Sequence, residues 1–297
     1  MRPFINPKTD FAFKKIFGSP QSTDILISFL NGLLYQGKAI IQSLQILDPY
    51  QAPRIEGVKD SYLDVKATLA NGTAVIIEMQ VLNVLGFKKR VLYNAAKAFA
   101  IQLDVGDDYT QLNPVIALTI TDFVMFEGSR NVVSRYSLKE KDTLTDYSDD
   151  IELVFAELPK FQKRSDELTS LSDKWLYFLK EANHLESIPP SLETETAIHS
   201  AFEVARQSQL TRDEMEILDK QAMVIHDSRN AVRLGEMKGL EQGRAEGRAE
   251  GRAEGRAEGE RAAKVAIAQS LLNQLPLTEI SRITGLTLEE IEAATAE

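Results

Sequence analysis

The chain has 297 residues, 43% of them hydrophobic, and no cysteine, so it can bury a real core but holds no disulfide and no thiolate metal site. It has no apolar run of about 18 residues to span a membrane, and "MRPFINPKTD" lacks the apolar stretch of a signal peptide, so a soluble cytoplasmic protein is expected. The net charge of −10 argues against nucleic acid, yet residues 1–100 hold twelve Lys and Arg against seven Asp and Glu, a balance of +5, and the rest carries −15.

In chain order, "NPKTDFAFKKIFGSPQSTDILISFLNGLL" reads as two helices. Thr9 or Asp10 can cap the first, which ends at Gly18, and Phe11, Phe13 and Phe17 give it an apolar side. Ser22, Thr23 or Asp24 can cap the second, with Ile25, Leu26, Phe29, Leu30 and Leu33 inward. "AIIQSLQILDPY" is a strand, and "SYLDVKATLANGTAVIIEMQ" is a pair of strands around an Asn-Gly turn. Residues 86–106 have helical spacing, "PVIALTITDF" is a buried strand, and "IELVFAELPKF" is one more, ending at Pro159. The order α-α-β-β-β-α-β-(β) is that of a mixed α/β core.

After residue 164 the pattern is helical, with Leu168, Leu171, Trp175 and Phe178 on one side and Trp175 as a core anchor. Residues 243–259 read "GRAEGRAEGRAEGRAEG". A step of four residues turns an α-helix by about 400°, so each residue type forms a slowly drifting stripe. Every i,i+4 pair of charges within these stripes is like-charged, and each Gly costs about 1 kcal/mol relative to Ala. A linker between folded parts is the favoured reading, with one long helix as the alternative. The tail "ISRITGLTLEEI" has helix-turn-helix spacing, Gly285 at the bend and Thr287 as a cap. Its second helix carries Glu289, Glu290 and Glu292 and no Lys or Arg, which favours a helical hairpin for packing over a base reader.

The strand pair places acids where a core is expected. A two-residue loop would put Asp64 opposite Met79, and a three-residue loop, Ala70-Asn71-Gly72, would put it opposite Glu78. Only the second register gathers Tyr62, Asp64, Lys66, Glu78 and Gln80 on one face, and Gly72 then takes the left-handed position. Two opposed carboxylates repel, and a Mg²⁺ ion, which takes one or two carboxylates and several waters, relieves that. Lys66 lies two residues from Asp64 and can orient a water or stabilise phosphoryl charge. The same pattern also describes a half-exposed sheet face with ordinary polar residues.

Five segments, "NPKTDFAFKKIFGS", "SYLDVKATLANGTAVIIEMQ", "FKKRVLYNAAKAFAIQL", "ELPKF" and "ITGLTLEEIE", resemble in order the Rpn family of recombination-promoting nucleases, also labelled transposases, within the PD-(D/E)XK nuclease superfamily. The resemblance implies a restriction-endonuclease-like α/β core and a Mg²⁺-dependent DNA endonuclease, with other divalent cations possible. It matches Asp64 to the motif's aspartate, Glu78 to its acid, Gln80 to the position of its lysine, and Asp10 to an acidic residue supplied by the first helix. Gln80 departs from that pattern, since an amide positions water without supplying charge, and Lys66 is the candidate for the missing charge. Lys88, Lys89 and Arg90 are candidates for phosphate contact. Phosphate-binding loops, nucleophile elbows and spaced histidine ligands are absent from the sequence.

The expected organisation is a nuclease-like core over 1–164, a helical extension over 165–242, the repeat over 243–260 as linker or helix, and a helical hairpin over 261–297. The expected partners are DNA and a second copy of the chain, with the tail in assembly or regulation and no membrane. The rival expectation is a nuclease-like fold acting as a weak or inactive interaction module.

Overall fold

The computed structural model describes residues 3–51 and 61–294. Contacts divide the chain into two compact units, 1–229 and 230–297.

In the first unit, α1 (Asp10–Phe17) is capped by the Thr9 hydroxyl, which accepts from Ala12 N. Its sequence puts Ala12, Phe13, Ile16 and Phe17 on one buried side. Helix α2 (Thr23–Tyr35) follows, and then β1 (Leu44–Leu47), β2 (Tyr50–Gln51), β3 (Ser61–Tyr62), β4 (Val65–Leu69) and β5 (Ala74–Gln80). Helix α3 (Phe87–Ala100) leads to β6 (Val115–Thr121), β7 (Val133–Lys139) and β8 (Asp146–Glu157). Six strands form a mixed sheet in the order β1-β4-β5-β6-β8-β7. β5, β6 and β8 run parallel and the other pairings are antiparallel. All seven residues of β6 are buried, which explains its continuous apolar run at the middle of a sheet covered on both faces.

One sheet face packs Val65, Ala67, Val75 and Ile77 against α1 and α2. Trp175 and Phe178 of α4 (Leu171–Glu181) and Ile198 and Phe202 of α6 (Thr196–Val204) join that same cluster, after the short α5 (Pro190–Glu193). Trp175 is fully buried between Phe17 and Phe29. The opposite face packs Ile76, Val115 and Ala117 against Ala95 and Ala98 of α3.

The hairpin takes the three-residue loop. Lys66 pairs with Ile76 and Thr68 with Ala74, and Leu69 N donates to Thr73 O at 2.9 Å. Gly72 has φ +87, which favours glycine by conformation, and a Cβ there would lie 2.4 Å from Asn113 Oδ1, so that any other residue would also have to displace the Asn113 side chain.

Two features depart from the sequence reading. β7 was not expected: it is an edge strand whose last five residues are exposed, so it lacks an apolar alternation. Of the two readings of the repeat, the favoured linker gives way to the alternative, one long helix. α7 runs unbroken from Arg212 to Leu271. Ala, Arg and Glu are strong helix formers, there is no proline in the span, and helix on both sides spares the repeat the cost of nucleation.

In the second unit, the end of α7 packs with α8 (Leu277–Thr284) and α9 (Leu288–Ala293) around Ala268, Ile280, Leu286 and Ile291. Gly285 ends α8 at φ +72, and Thr287 caps α9 in a reciprocal pair with Glu290, as expected for the bend and cap. Among the described residues no helix is long and apolar enough to cross a membrane.

Candidate active site

The site grows from a defect in the β4–β5 ladder. The register that pairs Val65 with Ile77 would next join Leu63 to Met79. Instead Leu63 N donates to Pro49 O, and the Met79 amide donates to Asp64 Oδ2 at 2.6 Å. The chain bends away at Asp64, and its carboxylate replaces the lost backbone acceptor. Asp64 thereby becomes a half-buried acid fixed one residue along from Glu78.

Helix α1 supplies the surroundings of Asp64. Lys14 Nζ lies 2.6 Å from Asp10 and 3.9 Å from Asp64. Burial raises the Asp64 acid, the nearby Asp10 adds to that, and the Met79 amide and Lys14 oppose it; the result is a carboxyl pushed up to about 7. The helix is held by α7: Lys15 pairs with Glu214 at 2.6 Å, and Gln221 accepts the Phe11 amide at 3.1 Å.

Helix α3 supplies the surroundings of Glu78. Asn94 donates to Glu78 Oε1, and Arg90 Nη2 lies 3.9 Å from Oε2. Burial pushes this acid up, and Arg90 and Asn94 pull it only partly back. Among the described residues, Glu78 Oε2 is buried with no hydrogen-bond donor. Arg90 also donates to Gln80 Oε1 at 2.7 Å, while Gln80 Nε2 donates to Leu82 O.

The expected residues therefore fall into connected groups. Asp10 and Asp64 are joined through Lys14, and Glu78 and Gln80 through Arg90. Arg90, expected as a phosphate contact, is anchored to Gln80 and lies near Glu78. Lys88 stands over the Phe126 ring at 5.0 Å, and Lys89 is exposed. Lys66 has Asp48 as its charged neighbour, and burial lowers its pKa. Sequence reading passed over Lys14 and Asn94, although each lies four residues beyond a named residue on a helix, Asp10 and Arg90, and so on the same side of it.

The donor set suits a hard divalent cation. It consists of carboxylate oxygens on two half-buried acids held above their usual range, and among the described residues one of those oxygens, Glu78 Oε2, accepts no hydrogen bond. Among the described residues no three acids or histidines form a closed cage. A site with one or two carboxylates and waters is the Mg²⁺ pattern.

A mixed sheet with one acid at the bend that opens β4 and another on its antiparallel neighbour β5 is consistent with an α/β fold of the PD-(D/E)XK nuclease type. The chain belongs to the PD-(D/E)XK nuclease family transposases, whose family model matches residues 7–235. That agrees with the resemblance drawn from its motifs. No curated protein and no solved structure matches the chain.

Proposed function

We propose that the protein is a Mg²⁺-dependent DNA endonuclease of the cytoplasm, hydrolysing phosphodiester bonds at Asp64 and Glu78. The observation that supports this reading is the buried Glu78 Oε2, which among the described residues accepts no hydrogen bond, its nearest charge being Arg90 at 3.9 Å, and would gain a partner from a cation. A divalent cation, when bound, stabilises charge on a phosphoryl oxygen and acidifies water. Asp64 and Glu78 would hold it, with Asp10 close by.

The chain's own residues do the rest. The Met79 amide fixes the Asp64 carboxylate without neutralising it. Asn94 orients Glu78 so that Oε1 is occupied and Oε2 is left for the ligand. Gln80 lacks a charge but holds Arg90 by its side-chain oxygen, and Arg90 brings a permanent positive charge to within 3.9 Å of Glu78. Arg90 is thus the first candidate for the charge that a lysine would supply at position 80, and Lys66 is the second. Lys88 and Lys89, on the same first turns of α3, would contact flanking phosphates. Residues 243–297, with balanced repeat charges and an acidic last helix, would serve assembly with a second copy and not base reading.

The test is conversion of supercoiled plasmid to nicked circles by the full chain. Nicking with Mg²⁺ and none with a chelator supports the reading. No cleavage of any DNA with any divalent cation would favour the interaction-module alternative.

A further inference from the structure

The loop between β5 and α3 ends in an unusual surface. Leu85 is fully exposed, at 106%, and Val84 beside it is 43% exposed. Gly86 follows at φ +81 and turns the chain into α3. An exposed apolar tip costs solubility and contributes nothing to the core.

The tip stands between two concavities. On one side Arg90 and Tyr93 line a groove, and the Arg90 guanidinium that lines it also bonds Gln80 and lies 3.9 Å from Glu78. On the other side lies an open groove of ≈ 930 Å³ with Phe126 and Tyr136 in its wall and Lys88 and Lys89 on its rim. The Phe126 and Tyr136 rings are 5.1 Å apart, and Lys88 Nζ lies over the Phe126 ring.

The second groove is built at a cost. Glu157, at the end of β8, is completely buried and ion-paired with Lys160 at 2.5 Å. Its Oε1 accepts the amides of Met125 and Phe126, at 2.6 and 3.0 Å, and Lys160 donates to Phe126 O at 2.8 Å. A buried ion pair is seldom a net source of stability. Here all of its hydrogen bonds are committed to one surface loop, and they fix the position of Phe126.

An apolar tip flanked by Lys88, Lys89 and Arg90, beside a pre-formed aromatic groove, has the chemistry of a wedge and a base receiver. Apolar side chains enter base steps and unstack them. Aromatic faces take up the displaced bases, and cations neutralise the phosphates between. We propose that Leu85 enters the base stack beside the scissile phosphate and that the groove of Phe126 and Tyr136 receives an unpaired nucleobase of the DNA strand. This rests on the nuclease reading and narrows its substrate to DNA with an unpaired or easily unstacked base next to the cut.

The test uses the full chain carrying Glu78→Gln, so that DNA is bound and not cut. Two fluorescent DNAs are compared by anisotropy: a paired duplex and the same duplex with a single unpaired thymine. The unpaired DNA should bind about tenfold more tightly. Leu85→Ser, which changes a fully exposed side chain and leaves the core intact, should bring that ratio close to one, as should Tyr136→Ala. Equal affinity for the two DNAs would overturn the inference and leave the nuclease reading standing, because duplex binding would remain. Binding to neither DNA would refute both. A ratio unaffected by Leu85→Ser would also overturn it. If the same variant shifted the sedimentation of the protein instead, the surface would belong to a second copy.

Discussion

The Asp64 carboxylate accepts the Met79 amide at 2.6 Å, taking the place of the Leu63 carbonyl in the β4–β5 ladder. One hydrogen bond thus binds an acid to the strand that carries the other acid, and it does so where the strand bends. The bond stabilises the ionised carboxylate, while burial and Asp10 act against ionisation and prevail. The balance leaves the Asp64 carboxyl raised in spite of its hydrogen bond to the Met79 amide.

The first prediction follows from the raised acid. A cation binds the ionised carboxylate, so it must displace a proton wherever Asp64 is protonated. With the carboxyl at about 7, Mg²⁺ affinity should be flat above that pH and should fall about tenfold per unit below it. Calorimetric titrations from pH 5.5 to 8.5 check this; an affinity unchanged across that range would contradict it.

The second concerns stability without metal. The Asp64 acid is raised in the folded state above its ordinary 3.8, so the protonated form favours folding. That contribution is complete below the unfolded value and is lost as pH rises through about 7. Asp64→Asn keeps an acceptor for Met79 and removes the charge. It should stabilise the metal-free protein at pH 8, by at most about 4 kcal/mol, and the gain should vanish below pH 4. Urea midpoints at the two pH values measure it.

The third separates the two candidates for the charge that a lysine would supply at position 80. Arg90 touches Gln80 and lies near Glu78, whereas Lys66 has Asp48 as its charged neighbour. Arg90→Met should lower kcat by about a hundredfold while affecting KM much less, the pattern of a charge used mainly in the transition state. Lys66→Met should lower it by less than about threefold. The reverse order would assign the missing charge to Lys66.

How much of this was legible in the sequence differs from feature to feature. The hairpin register was legible, because Asn71-Gly72 is turn chemistry and a slip of one residue would have scattered the polar side chains. The bend at Asp64 was not, since it depends on Leu63 pairing with Pro49, a contact that no local pattern encodes. The pairing of Arg90 with Gln80 was hidden for a similar reason: the rotation of α3 over the sheet is fixed by Ala95 and Ala98 packing on Ile76 and Ala117. The edge strand β7 is too exposed to show periodicity, and the repeat was judged by its charges and glycines when helical flanks decide it.

The fourth prediction tests the turn that sets the register. Gly72→Ala forces a side chain into φ +87 and against Asn113. It should destabilise the protein by about 1–3 kcal/mol, seen as a lower urea midpoint with an unchanged slope. An unchanged midpoint would mean that the loop relaxes to another turn.

The most direct test of the two-acid site is the Mg²⁺-dependent nicking rate of Asp64→Asn and Glu78→Gln beside the unaltered chain, with circular dichroism confirming that each variant is folded. Both substitutions keep the size and the hydrogen bonds of the side chain and remove one negative charge. Each should reduce nicking by at least about a thousandfold if, as proposed, each removes a cation ligand that the reaction requires. Folded variants that nick plasmid at the unaltered rate would contradict the assignment of catalysis to Asp64 and Glu78.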